Sequence, residues 1–208
     1  MALTFNFDFP ATKAALLYLA SKELPDFDKY RASKLLFLAD REHLLRFGRT
    51  ITGDAYNALP YGPTPDATLD LLNGLEGVVH QGKLPMSDQV AELVTALELT
   101  NLHYPTYHAS VEPDLNALSK SDMRVLDQVV EDHGHKTFSE LKTLTHGMKA
   151  YTNVWLDDGP RKKFPMAFED FFAEAPDKAD YLKELQEDQK LAQAFPQVVC
   201  AQVVCAEM

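Results

Sequence analysis

Histidines are the residues of this sequence whose type and spacing come nearest to a catalytic pattern. His133 and His135 flank a glycine, and His146 follows further along the chain. Imidazoles bind zinc, so convergence of these three side chains would make the site of a metal-dependent hydrolase. The pair has no HExxH or CxxC context and straddles Gly134, which suits a helix end. We therefore expect no metal and no cofactor, and keep the hydrolase as an alternative function.

Motifs for nucleophilic and phosphate chemistry are missing from the chain. There is no GxSxG string, and Cys200 and Cys205 have neither CxxC spacing nor that of half a zinc site, so we interpret them as small hydrophobes. The string GHKT at residues 134–137 lacks the second glycine and the preceding strand of a phosphate loop. Adjacent acids such as Asp157 and Asp158 need not converge on a substrate. We predict no catalytic residues and a protein that is not an enzyme.

Composition and net charge restrict the class of protein further. The chain has 208 residues, 46% apolar and 25% charged, as expected of a globular protein with one core. No window approaches the roughly 18 apolar residues of a membrane span, and the N-terminal stretch lacks a basic signal-peptide region, so we expect a cytoplasmic protein. A net charge of −11 opposes binding to nucleic acids and favours basic protein partners. Only the helix at residues 34–49 could serve a DNA-binding repressor.

Two helices are predicted in the first quarter of the chain. An apolar helix at residues 11–22 reads as central, and a long helix follows at about residues 28–47, capped by Gly48. Apolar positions wrap around the second helix. The polar strip that they leave consists of Lys34, Arg41 and Glu42.

A proline-rich segment follows the second helix. The pattern predicts a strand at residues 51–59, after which Pro60 and Pro63 end strand pairing. Thr64 is a suitable N-cap, and Pro65 suits the first position of a helix that reaches residue 73. The segment is either a rigid connection or a recognition surface. The surface would be formed by Tyr56, Tyr61, Pro60, Pro63 and Pro65.

The second half of the chain returns from strands to helices. Residues 91–99 and 102–111 are predicted as antiparallel strands, with Pro105 confining the second to a sheet edge. Ser119 or Ser121 caps a helix that ends at Gly134. The predicted elements beyond it are a helix after the capping box Thr137-x-x-Glu140, a loop after Trp155, a brief helix at 168–175 and a charged helix at 178–195.

These elements predict an α+β fold that is mainly helical. We expect a single domain with a central helix bundle and a small antiparallel β-sheet. Residues 1–160 would form the folded domain, and residues 161–208 a C-terminal helical extension with an apolar tail.

Three motifs in a fixed order carry a family resemblance. They are K-L-L-x-L-A-D-R at residues 34–41, I-T-G-D at 51–54 and Y-x-A-L-P-Y-G-P-x-P at 56–65. With the stretch at residues 125–155, they resemble the SocA-like antitoxin family, also called the Panacea domain, which includes the phage-associated GepA proteins. The resemblance spans about residues 11–155 and identifies residues 1–160 as the family domain.

The resemblance implies an antitoxin of a bacterial or prophage toxin–antitoxin system, with phage defence as its setting. Such a protein binds and neutralises, by direct contact, a toxin protein encoded by an adjacent gene, and different members face unrelated toxins. A branch of similar fold works as an adaptor that delivers its toxin to a protease, which is an alternative for this chain. The family has no established catalytic residues, and the extension after residue 161 is a candidate for partner specificity.

The partner-binding site predicted from these arguments lies on the long helix and the proline-rich segment. Its members are Lys34, Arg41, Tyr56, Tyr61, Pro63 and Pro65. Oligomeric state is left open.

Overall fold

The computed structural model describes residues 2–78, 86–100, 104–156 and 162–194. Its α-helices are α1 (Phe9–Ala20), α2 (Lys29–Phe47), α3 (Asp66–Leu75), α4 (Ser87–Ala96), α5 (Lys120–His133), α6 (Phe138–Gly147), α7 (Lys149–Thr152) and α8 (Lys178–Ala194). Its strands are β1 (Tyr56–Leu59), β2 (Gly62–Pro65), β3 (Leu97–Thr100), β4 (Thr106–Ala109) and β5 (Phe164–Met166). The predicted mainly helical α+β class is confirmed. Among the helices of these ranges, none combines the length and the apolar character needed to cross a membrane.

Helix α2 lies at the centre of the molecule. Every residue in the range 31–40 is buried, and the helix contacts α1, α3, α5, α6 and β2. The Asp28 carboxylate accepts the Arg31 N–H at 2.7 Å and begins the helix. Gly48 ends it with a φ of 73°, which glycine adopts without a Cβ clash. The helix predicted at about residues 28–47 is therefore confirmed.

The proline-rich segment folds into a β-hairpin. Strands β1 and β2 pair antiparallel with Ala58 opposite Pro63, and only Pro60 and Tyr61 form the turn. The expectation that Pro63 ends strand pairing is therefore wrong. Strand β2, which contains Pro63, lies at the edge of a three-stranded sheet of order β2-β1-β5. An edge strand tolerates proline because a backbone nitrogen on its outer side needs no hydrogen to pair with a neighbour.

The strand predicted at residues 91–99 is only partly correct. Helix α4 occupies its first part, and β3 begins at Leu97. Val90, Leu93 and Ala96 are buried at helical spacing, and so short an apolar run fits both the helical and the strand period. Strand β4, which follows Pro105, pairs with β3 as expected.

The capping box predicted at Thr137 is present, and the cap predicted at Ser119 or Ser121 proves to be Ser119, which also forms a capping box. At the start of α5 the Ser119 hydroxyl accepts the Asp122 N–H at 3.2 Å, and the Asp122 carboxylate accepts the Ser119 N–H at 2.7 Å. Thr137 and Glu140 exchange the equivalent bonds at the start of α6. Two consecutive helices therefore begin where local hydrogen-bonding chemistry predicted them.

Residues after position 161 complete the core. Strand β5, which was not predicted, pairs with β1. It leads into a 3₁₀ helix, Phe168–Phe172, whose Phe171 ring centroid lies 5.4 Å from that of Phe37 and 5.5 Å from that of Tyr56. The expected helical extension therefore contains a strand and part of the hydrophobic core. The tail with both cysteines, and the acid pair at residues 157–158, lie outside the described residues.

Candidate functional site

Lys34 is buried and holds the hairpin against α2. The residue is 1% exposed, and its Nζ donates to the Pro63 carbonyl at 2.6 Å and lies 4.9 Å from the Tyr30 ring centroid. Among the described residues it has no carboxylate partner, and burial lowers its pKa to about 7. The expectation of an exposed polar strip containing Lys34 is therefore wrong.

Asp40, in the same motif as Lys34, also points inward. The Asp40 carboxylate accepts the Ile51 and Thr52 N–H groups at 2.7 and 3.0 Å, and the Thr52 hydroxyl. It also accepts the Tyr56 hydroxyl at 2.8 Å. Burial raises the pKa of Asp40, which these hydrogen bonds oppose. The three motifs are thus joined in a buried polar network that fixes the hairpin relative to α2.

Most of the predicted partner-binding residues lie inside the molecule. The buried members are Lys34, Tyr56, Pro63 and Pro65. They position the hairpin, and the expectation that all of them face solvent is wrong. Tyr61 is exposed and Arg41 is partly exposed, so direct partner contact by these two stays a prediction.

An aromatic patch surrounds the tip of the hairpin and consists of Tyr61, Phe138 and Lys142. Tyr61 is 60% exposed and Phe138 is 49% exposed, and their ring centroids lie 6.0 Å apart in an edge-to-face arrangement. The Lys142 Nζ lies 5.5 Å from the Tyr61 ring centroid. Sequence reasoning missed Phe138. Its position directly after the N-cap residue Thr137, at the first residue of α6, was the signal that it begins an exposed helical turn.

Gly62, the first residue of β2 after the turn, lies directly against basic side chains. A Cβ at Gly62, where φ is 103°, would lie 3.0 Å from Thr145 Oγ1, 3.2 Å from His146 Cδ2 and 3.3 Å from Lys34 Cε. Burial lowers the pKa of His146, and the charges of Lys142 and Lys34 lower it further. Within the described ranges, none of these three basic side chains forms an ion pair with an acid.

Arg41 belongs to a different surface. Its guanidinium forms an ion pair with Glu174 at 2.9 Å, and its Nε is buried with no hydrogen-bond partner in the described part of the chain. It lines a depression of about 250 Å³ that His133 also lines, and no residue of the aromatic patch does. The structure therefore does not bring Arg41 and Tyr61 into one site.

The three histidines do not form the metal site considered from the sequence. His133 lines the depression beside Arg41, whereas His135 lines another and His146 stacks near Tyr151 with ring centroids 4.4 Å apart. No group of three metal-ligating side chains occurs within residues 2–78, 86–100, 104–156 and 162–194. The hydrolase alternative therefore has no assembled histidine cluster.

The exposed aromatic patch indicates a class of protein, and a family match then identifies the family. Exposed aromatic rings held side by side, here by a hairpin turn and the start of a helix, are typical of protein-interaction surfaces. The family described as "Antitoxin SocA-like, Panacea domain" matches residues 33–151, more than half of the chain, and the chain belongs to that family. Membership indicates an antitoxin role and a toxin as partner. Searches among curated proteins and among solved structures returned no match.

The matched region contains the whole buried network and the aromatic patch. It begins one residue before Lys34 and ends at Tyr151, before β5. The three motifs that suggested the family are therefore mostly determinants of the fold, and the exposed rings lie on the scaffold that they build.

Proposed function

We propose that this chain neutralises a cognate toxin, encoded by an adjacent gene, by direct contact through the aromatic patch. Family membership supports the antitoxin role. The observation that supports this surface is the exposure of Tyr61 and Phe138 side by side at the hairpin tip. Large aromatic rings provide much of the binding energy of protein interfaces, and a buried-core explanation does not account for exposed ones.

The rigidity of the hairpin supports the same proposal. Besides the Lys34 bond, the Tyr151 hydroxyl donates to the Leu59 carbonyl at 2.9 Å, next to the turn. A surface ordered before binding loses less conformational entropy when the partner docks. Lys34, Tyr56, Pro63 and Pro65 then act by positioning Tyr61, and Arg41 is proposed as a second, separate contact region.

Co-expression with the neighbouring reading frame tests the function. We expect the neighbouring protein to arrest growth when expressed alone, and growth to return when this chain is present. A neighbour that is harmless by itself would overturn the assignment. The half-life of the toxin separates two routes of neutralisation, because an adaptor for a protease would shorten it whereas a blocking antitoxin would leave it unchanged or longer.

Substitution of Tyr61 tests the surface. We expect Tyr61→Ala and Phe138→Ala each to weaken toxin binding by about tenfold, because each removes an exposed ring of the proposed interface. Binding is measured by titration calorimetry, and thermal unfolding should change little because both side chains are about half exposed.

Two variants control for this prediction. Tyr61→Phe keeps the ring and should bind like the natural chain. Val94→Ala shortens an apolar side chain that is 55% exposed on α4, outside the patch, and should also leave binding unchanged. Normal binding by Tyr61→Ala, or equal weakening by Val94→Ala, would exclude the patch as the contact surface.

A further inference from the structure

A basic spot, formed by Lys142, Lys34 and His146 and without an acid partner among the described residues, lies at the aromatic patch of an otherwise acidic chain. Lys142 lies against Tyr61, while Lys34 and His146 lie against Gly62 on the inner side of the turn. The whole chain carries a net charge of −11, so acids outnumber bases. Because acids are in excess, the composition favours a carboxylate near each basic side chain, and this group of basic side chains departs from that expectation.

Several other basic side chains of the described residues pair with acids, although exposed lysines such as Lys183 have no such pair in the described ranges. The pairs are Lys13–Glu92, Lys22–Asp127, Lys29–Glu76, Arg41–Glu174, Arg46–Glu42, Arg49–Asp122 and Lys163–Asp66. The basic side chains at the hairpin instead influence one another, since Lys142 and Lys34 both lower the pKa of His146. No acid contributes to the pKa of Lys34 or of His146.

His146 provides a second, independent sign of an incomplete site. Its Nε2 is buried and has no hydrogen-bond partner among the described residues. A buried polar atom without a partner is rare in a folded protein, because the lost hydrogen bond with water is not replaced. A polar group of a bound partner that reaches this nitrogen would complete it.

We propose, building on the antitoxin function, that the toxin inserts an acidic side chain beside Tyr61, where it contacts Lys142 and approaches His146. The carboxylate supplies the negative charge that the spot lacks, and the exposed rings of Tyr61 and Phe138 cover it from water. Exclusion of water strengthens such a charge pair. The overall negative charge of the chain attracts a basic toxin at long range, and this local contact sets its orientation.

The test compares two charge reversals that change the net charge of the chain equally. Lys142→Glu alters the proposed spot, whereas Lys183→Glu alters an exposed lysine on α8. The probe is the purified protein encoded by the neighbouring reading frame, bound to the full chain. We expect Lys142→Glu to weaken binding by at least about tenfold and Lys183→Glu by less than about twofold.

Further variants keep the result independent of folding. Lys142→Gln should show an intermediate loss if Lys142→Glu unfolds, and circular dichroism checks each chain. In a charge-swap series, the exposed acids of the toxin are replaced by lysine one at a time. One of these single substitutions should restore binding to the Lys142→Glu chain.

The outcomes separate the two proposals. Equal weakening by Lys142→Glu and Lys183→Glu would show that only net charge matters and would overturn the acidic contact, while the antitoxin function stands. Absence of any binding or neutralisation by the natural chain would overturn the function, and the acidic contact with it.

Discussion

Lys34 shows at the residue scale how the family motif acts. A lysine in the interior loses its hydration, which disfavours the charged form and lowers its pKa, here to about 7. The Pro63 carbonyl is its close hydrogen-bond acceptor, at 2.6 Å. The K-L-L-x-L-A-D-R motif therefore buries a lysine in spite of the cost of removing its charge from water. The Lys34 side chain joins α2 to the edge strand β2, whose outer carbonyls need hydrogen-bond donors.

Replacement of Lys34 by methionine should alter the pH dependence of stability. Folding lowers the pKa of Lys34 from 10.5 to about 7, so between these pH values the unfolded chain binds more protons than the folded one. The stability of the natural chain relative to Lys34→Met should therefore rise by about 1 kcal/mol per pH unit as pH increases from 7 to 9. Urea unfolding at several pH values measures this difference.

The matched control for that experiment is an exposed lysine. Lys183→Met removes a lysine on the surface of α8 and should show no such pH dependence. A difference between the natural chain and Lys34→Met that stays constant from pH 7 to pH 9 would contradict a lowered pKa.

Helix α3 illustrates the element scale, because a residue distant in sequence caps it. The Asp54 carboxylate accepts the Ala67 N–H at 2.9 Å and both the N–H and the hydroxyl of Thr68, at 2.8 and 2.7 Å. The local cap expected at Thr64 makes no such bond, and Pro65 precedes the helix without a side-chain cap. The I-T-G-D motif thus supplies the N-cap of a helix that starts after the hairpin.

Removal of the Asp54 carboxylate should destabilise the fold. Asp54→Ala leaves the first N–H groups of α3 without an acceptor in a buried place, at a cost of about 2 kcal/mol. Urea unfolding measures the loss. The control Asp70→Ala removes a partly exposed acid in the same helix and should cost less than about 0.5 kcal/mol. Equal effects of the two substitutions would argue against the long-range cap.

The whole molecule depends on residues beyond the matched family region. Strand β5 completes the three-stranded sheet, and Phe171 packs among the rings of Phe37 and Tyr56. Helix α8 makes a smaller contribution, since none of its residues is fully buried. The family motifs therefore end before the predicted boundary at residue 160, whereas the sheet and the hydrophobic core continue beyond it.

Two truncations test this division. A chain that ends at residue 160 loses β5 and Phe171, and we expect it to lose cooperative thermal unfolding because its core is left open. A chain that ends at residue 177 keeps both and loses α8. It should unfold cooperatively at a lower temperature. Near-ultraviolet circular dichroism monitors the unfolding of both chains. Cooperative unfolding of the shorter chain would instead support an independent domain at residues 1–160.

The sequence by itself determined the features that depend on neighbouring residues. Helix α2, a serine cap at the start of α5, the capping box at Thr137 and the mainly helical class follow from apolar periodicity and local hydrogen bonds. The ordered motifs also indicated the family, which the match to residues 33–151 confirms.

Only the tertiary structure decided which motif residues reach the surface. Lys34 and Tyr56 are polar enough to suggest exposure, but their hydrogen-bond partners come from other segments, Pro63 for the first and Asp40 for the second. Strand β5 is too short to be recognised without the strand it pairs with. Burial and strand pairing depend on contacts between residues far apart in the chain, which is why local patterns placed these side chains on the outside and the fold placed them within.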